Sequence, residues 1–112
     1  MKILQAEIWE MYFDPTKGSE QSGRRPAVVI SGNMLNKYLD VVIVCPLTTN
    51  VKYYKGNVVL SPNKVNNLKS KSEILTFHVR SVSKNRLKNK LGQITPEQLS
   101  EVKQCLDDIL RY

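Results

Sequence analysis

Gly18-Ser-Glu-Gln-Ser-Gly-Arg-Arg-Pro-Ala-Val-Val-Ile-Ser31 is a polar, glycine-punctuated stretch that passes through two arginines and a proline into an apolar run. Short apolar runs bounded by turn signals read as buried strands, and the polar half before it reads as a loop. Pro26 fixes its own backbone and pushes Arg25 into an extended conformation. Arg25 is thereby expected at the lip of a core strand. About twenty residues on, Asp40-Val-Val-Ile-Val-Cys-Pro-Leu-Thr-Thr49 repeats the pattern of a buried strand ending in small hydroxyls. If the two strands pair, Arg25 and Thr48 meet at one rim of the sheet. A five-donor planar guanidinium beside a hydroxyl suits a phosphate oxyanion.

Working outward, the chain of 112 residues is long enough for one core and is expected to be one domain, residues 1–112. Its formal charge of +7 is unevenly spread. Between residues 52 and 90 ten lysines and arginines face a single acid, Glu73, whereas residues 1–51 are balanced and residues 95–112 are slightly acidic. A basic middle of this kind is a footprint for a polyanion; a lysine-rich surface that only keeps the chain soluble is the alternative. Two cysteines without a CxxC pair and one histidine exclude a recognisable zinc site and argue against a disulfide scaffold. No metal and no cofactor are expected. Met1 to Glu7 lacks the apolar core of a signal peptide, and no apolar run approaches the ~20 residues that cross a bilayer. A cytoplasmic protein without a membrane partner is the expectation.

Residues 7–13 are rich in β-formers and read as a first strand, with Trp9, Met11 and Phe13 on one face and Ile8, Glu10 and Tyr12 on the other. A strand over 25–31, one or two helical turns over 33–38 and a third strand over 40–47 follow. Residues 51–57 read as a loop and 58–60 as a short strand. Further strands are expected over 73–79 and 91–94, with the basic stretch 83–87 between them. Thr95, Pro96 and Gln98 form a capping box with proline at the first helical position. Leu99, Val102, Leu106, Ile109 and Leu110 then recur as one apolar stripe of a helix. Short strands followed by one amphipathic helix predict a mainly β fold, a small and strongly bent sheet or barrel with the helix packed on it.

Several blocks in order resemble the MazF/PemK-type toxins, the sequence-specific endoribonucleases of bacterial toxin–antitoxin pairs. They are Ile8-Trp9, Phe13 through Pro26 with its Gly-Ser-Glu-Gln to Arg-Pro core, Val28 to Ser31, Pro46-Leu47-Thr48, Val79 to Val82, Lys84 to Leu87, and Leu91 to Ile94. The resemblance implies an SH3-like antiparallel barrel with a C-terminal helix and a symmetric homodimer. It further implies metal-independent cleavage of single-stranded RNA and a small antitoxin protein that blocks the RNA groove. On that likeness Arg25 and Thr48 fall on the two catalytic positions, and Ser19 to Gly23 on a substrate-gating loop. The family often has Gly-Asp where this chain has Ala6-Glu7, a change expected to matter little. It often has glutamine where this chain has His78, which bears on base preference.

RNA carries its own nucleophile, the 2′-OH, so a metal-free enzyme needs a base, an acid and a clamp for the phosphoryl oxygens. Arg25 is the expected clamp and Thr48 a hydrogen-bond donor to the same phosphate. Glu20 is a candidate base; a solvated charge or a partner for Arg24 is its alternative. His78, placed late in a strand, is a candidate proton carrier or a packed residue. Ser19, Gln21 and Arg24 are candidate substrate contacts. Lys52-Tyr53-Tyr54-Lys55 interleaves aromatics with charge, as surfaces that stack unpaired bases do, or else holds two half-buried tyrosines of a hairpin. Arg80 and Arg86 bear on RNA or on dimer structure. Two other functions fit a basic barrel: a CcdB-like toxin that poisons gyrase without catalysis, and a nucleic-acid-binding module without turnover. Arg25 beside Thr48 argues against the first, and salt-sensitive binding without cleavage would mark the second.

Overall fold

The structure, a computed structural model, describes residues 2–12 and 23–112. Among the described residues seven antiparallel strands, β1 (Glu7–Tyr12), β2 (Arg24–Val29), β3 (Val41–Thr48), β4 (Val59–Leu60), β5 (Ser72–Ile74), β6 (Arg80–Ser83) and β7 (Leu87–Gln93), form a strongly bent half-barrel. The order is β4-β5-β3-β2-β1-β7, with β6 added against β3. A short helix α1 (Asn33–Tyr38) joins β2 to β3, and the long helix α2 (Pro96–Arg111) closes the chain.

β3 organises the sheet because it serves three neighbours. It pairs with β2 through Ala27–Pro46, Val28–Cys45 and Val29–Val44, with β6 along residues 41–44, and with β5 at Leu47–Ile74 and Thr48–Glu73. Both faces of the central strands are buried, so β2 and β3 read as continuous apolar runs where a half-exposed strand would alternate. Ile8, Val28, Cys45, Leu47, Leu60, Ile74 and Ile94 pack with Val102 of α2 on one face, while Trp9, Met11, Ala27, Val29, Val42, Val44, Val82 and Leu87 form a second cluster on the other.

Helix α2 begins as its capping box dictates. Thr95 Oγ1 accepts from the Gln98 N–H at 3.1 Å and Gln98 Oε1 accepts from the Thr95 N–H at 2.9 Å. Its buried side chains are Val102 and Cys105, with Leu99 and Leu106 beside them. The expected stripe runs too far, because Ile109 is 44% and Leu110 85% exposed: the helix outruns the sheet it packs on.

Three other expectations are corrected. The strand expected over 73–79 ends at Ile74, and residues Thr76–His78 form a 3-10 turn, so His78 lies on a turn. Residues 80–83 form a strand of their own that was absent from the expected elements. The basic stretch 83–87 is the end of that strand, a 3-10 turn at Lys84–Arg86 and the start of β7, which runs from Leu87 rather than 91. Ala6 sits at φ 79°, the left-handed region that favours glycine. The alanine where relatives of the resembling family often carry glycine is therefore a strained substitution.

Candidate functional site

Proline chemistry shapes the rim that carries Arg25 and Thr48. Pro26 and Pro46 have no N–H to donate, and the β2–β3 ladder stops at the Ala27–Pro46 pair. Two residues beyond it stand Arg25 on β2 and Thr48 on β3. Side chains two apart on a strand share a face, so Arg25 follows Ala27 and Thr48 follows Pro46 onto the face of the second core cluster. The expected pair thus lies at the tips of adjacent strands on a common face. Arg25 is exposed and Thr48 half-buried. Thr48 Oγ1 accepts the Asn50 N–H at 3.1 Å, which engages a lone pair and leaves the hydroxyl hydrogen to be donated elsewhere.

Arg80 joins this face from the other side of β3. It pairs with Val44, and Val82, two residues on, belongs to the second core cluster. Arg24, one residue from Arg25, takes the opposite face. Its guanidinium binds Glu10 at 3.1 Å and lies 5.1 Å from the Tyr12 ring centre, with Lys88 at 5.4 Å from the same ring. The Asn89 amide and then Arg24 hold the Glu10 carboxyl below its usual range. Ser19, Glu20 and Gln21 lie outside the described residues.

The 51–57 loop is built around Glu73, the cross-strand partner of Thr48. Glu73 is fully buried and accepts four hydrogen bonds, from the N–H groups of Lys52, Tyr53 and Tyr54 and from the Asn57 amide. Burial alone would raise its pKa, but these donors outweigh it and hold the carboxyl below its usual range. Lys52, Tyr53 and Tyr54 are exposed, as a binding surface requires. His78 is exposed on the 3-10 turn beside Phe77, their rings 4.8 Å apart, and the Leu75 N–H of the same segment bonds the Pro46 carbonyl at 2.8 Å.

Glu73 and Phe77 were missed in the sequence. Glu73 left a signal, being the only acid in the basic segment, since a lone carboxylate among ten cations is a candidate for an internal anchor. Phe77 left none. Among the described residues no group of three His, Cys, Asp or Glu side chains is placed to hold a metal, and no helix is long and apolar enough to cross a membrane.

Known proteins resemble this chain in sequence and in fold. Endoribonuclease toxin MazF of Escherichia coli strain K12 is 40% identical over 97 residues, covering 86% of this chain and 82% of its own. Endoribonuclease MazF of Staphylococcus saprophyticus is 34% identical over 107 residues, covering 94% and 88%. The crystal structure of MazF from Deinococcus radiodurans superposes with a TM-score of 0.81 at 29% identity, covering 100% of this chain and 99% of that one. A MazE–MazF crystal structure from the same organism gives 0.81 at 27% identity, with 98% and 96% covered. Residues 4–110 match the family described as PemK-like, MazF-like toxins of type II toxin–antitoxin systems, and the chain belongs to that family.

Proposed function

We propose that this chain is the endoribonuclease toxin of a toxin–antitoxin pair and that it cuts single-stranded RNA at a preferred sequence without a metal ion. The observation that carries the reading is the placing of Arg25 and Thr48 at the tips of adjacent strands on one face. In the proposed reaction the 2′-OH gives up its proton and attacks the neighbouring phosphorus in line. The bond from phosphorus to the 5′-oxygen breaks, and that oxygen leaves with a proton, yielding a 2′,3′-cyclic phosphate and a 5′-hydroxyl. Arg25 binds the non-bridging oxygens as their charge grows, and Thr48 donates its hydroxyl hydrogen to the same phosphate. Glu20 and His78 are the candidate proton carriers. Lys52, Tyr53 and Tyr54 bind flanking nucleotides, with Ser19 and Gln21 gating them.

The partner proposed from the family likeness is an antitoxin protein, and the working unit is a homodimer. Its site of action would be the cytoplasm, where messenger RNA is found. The test is to sequence the 5′ ends of RNAs cut by the purified protein beside the Arg25→Ala variant. Cleavage at a common motif, retained in EDTA, lost in Arg25→Ala and absent on an all-DNA copy, is expected. Cleavage of DNA, or activity abolished by EDTA, would overturn the reading.

A further inference from the structure

Glu73 does more than fill the core. One oxygen accepts from the Lys52 and Tyr53 N–H groups at 2.7 and 3.0 Å, and the other from the Tyr54 N–H and the Asn57 amide at 2.8 and 3.1 Å. Three successive backbone donors aimed at one carboxylate leave the loop a single course. Tyr53 accordingly holds φ at 56°, which a bulky residue adopts only when its surroundings dictate it.

The consequence is outside the core. Tyr54 meets Phe77 edge to face, with ring centres 5.2 Å apart at 89°, yet the two residues stay 47% and 46% exposed. Two aromatic rings are thus braced against each other and left half open to solvent, on a basic stretch of chain. The carboxylate that sets the loop is the cross-strand neighbour of Thr48. An open aromatic face, on a loop set by the carboxylate opposite Thr48 in the ladder, matches an unpaired nucleobase, whose π-face stacks whatever its identity.

We infer that Tyr54 and Phe77 form a stacking platform for one unpaired base flanking the scissile phosphate, and that Glu73 is the positioning residue that presents it. The inference rests on the RNA-cleaving reading above and adds a base-binding subsite and its support. Glu73 touches no substrate; it acts through the course of residues 52–54.

The experiment measures kcat and KM on a single-site RNA oligonucleotide. A matched series carries an abasic ribonucleotide at each position around the cut, in the wild type and in Phe77→Ala and Glu73→Gln. One abasic position is expected to raise the wild-type KM about 5- to 100-fold with kcat changed less than about threefold. Phe77→Ala should reproduce that rise on intact RNA and add nothing on the abasic one. Glu73→Gln should raise KM on intact RNA and lose most of its penalty on the abasic RNA, a pattern that general loosening of the fold would not produce. Equal penalties on both RNAs, or an unchanged KM in Phe77→Ala, would overturn the platform. Because Phe77 is surface-exposed, its variant decides the matter even where Glu73→Gln fails to fold. Fluorescence anisotropy with a 2′-deoxy oligonucleotide is read in parallel. Base-dependent binding of this uncleavable probe, with no cutting of the matching all-ribo RNA, refutes the nuclease reading and keeps the platform, whereas binding indifferent to the base and to Phe77 refutes the platform alone.

Discussion

Thr48 and Glu73 stand opposite each other across the β3–β5 ladder, and each holds part of the same loop. Thr48 Oγ1 takes the N–H of Asn50, and the Glu73 carboxylate takes those of Lys52, Tyr53 and Tyr54. The proposed chemistry and the exposed tyrosines are therefore tied to one another through backbone donors two to six residues beyond Thr48. Disturbing either oxygen group should be felt in cleavage, but in different kinetic constants.

Thr48→Val keeps the β-branched shape and removes the hydroxyl. Loss of one donor to the developing oxyanion is expected to lower the single-turnover cleavage rate ~10²–10³-fold. Thr48→Ser, which keeps the donor, should stay within about tenfold. A Thr48→Val enzyme that cuts at the wild-type rate would remove Thr48 from the chemistry.

Glu73 and Glu7 should make the fold acid-sensitive. Burial would raise the Glu7 pKa, but the Leu4 N–H, the Trp9 indole at 3.0 Å and Lys90 at 3.1 Å hold it below its usual range, as the loop donors do for Glu73. A carboxyl whose folded pKa is depressed adds stability that is present above its unfolded value and lost as pH falls through the folded one. Below about 4.5, the reference value for both groups, the urea midpoint should therefore begin to drop. Glu73→Gln should be less stable by about 2 kcal/mol at pH 7, because an amide cannot serve all four donors. That deficit should narrow as pH falls below about 4.5, as the wild type loses the contribution of the charged carboxylate; a pH-independent deficit would mean that the charge is irrelevant.

Ala6→Gly should stabilise the protein. Ala6 holds φ at 79° while its N–H bonds Val29 and its carbonyl accepts from Ile94. Left-handed backbone costs an L-residue ~1–2 kcal/mol, and glycine escapes that cost at the expense of some unfolded-state entropy. A net gain of about 0.5–1 kcal/mol is expected by urea denaturation. Ala6→Val should lose at least as much, and the opposite order would refute the strain.

Gly92→Ala tests a close approach inside the fold. A Cβ at this buried glycine would collide with the carbonyl oxygens of Val65 and Asn66, the latter at 2.6 Å. Both are backbone atoms and cannot swing aside. A loss of about 1–3 kcal/mol is expected from chemical denaturation. Wild-type stability in Gly92→Ala would show that the 65–66 backbone yields freely.

Much of the local structure was legible in the chain. Helix α2 was announced by Thr95, Pro96 and Gln98, since a capping box is written within four consecutive residues. Strands β2 and β3 were announced by apolar runs that admit no exposed face, and their end-to-end reading put Arg25 and Thr48 on one rim. His78 was misplaced onto a strand, because the pattern over 73–79 does not reveal that pairing with β3 lapses after Ile74.

The sequence by itself determined helix α2, strands β2 and β3, the basic middle and the identity of the rim residues, because propensity, capping and charge act over a few neighbouring positions. Only the tertiary structure decided that Glu73 is buried under three backbone donors twenty residues away, that Tyr54 meets Phe77, and that Ala6 turns left-handed. Those outcomes depend on how the sheet bends and which strands share β3, and contacts between distant segments leave no period in the chain to read.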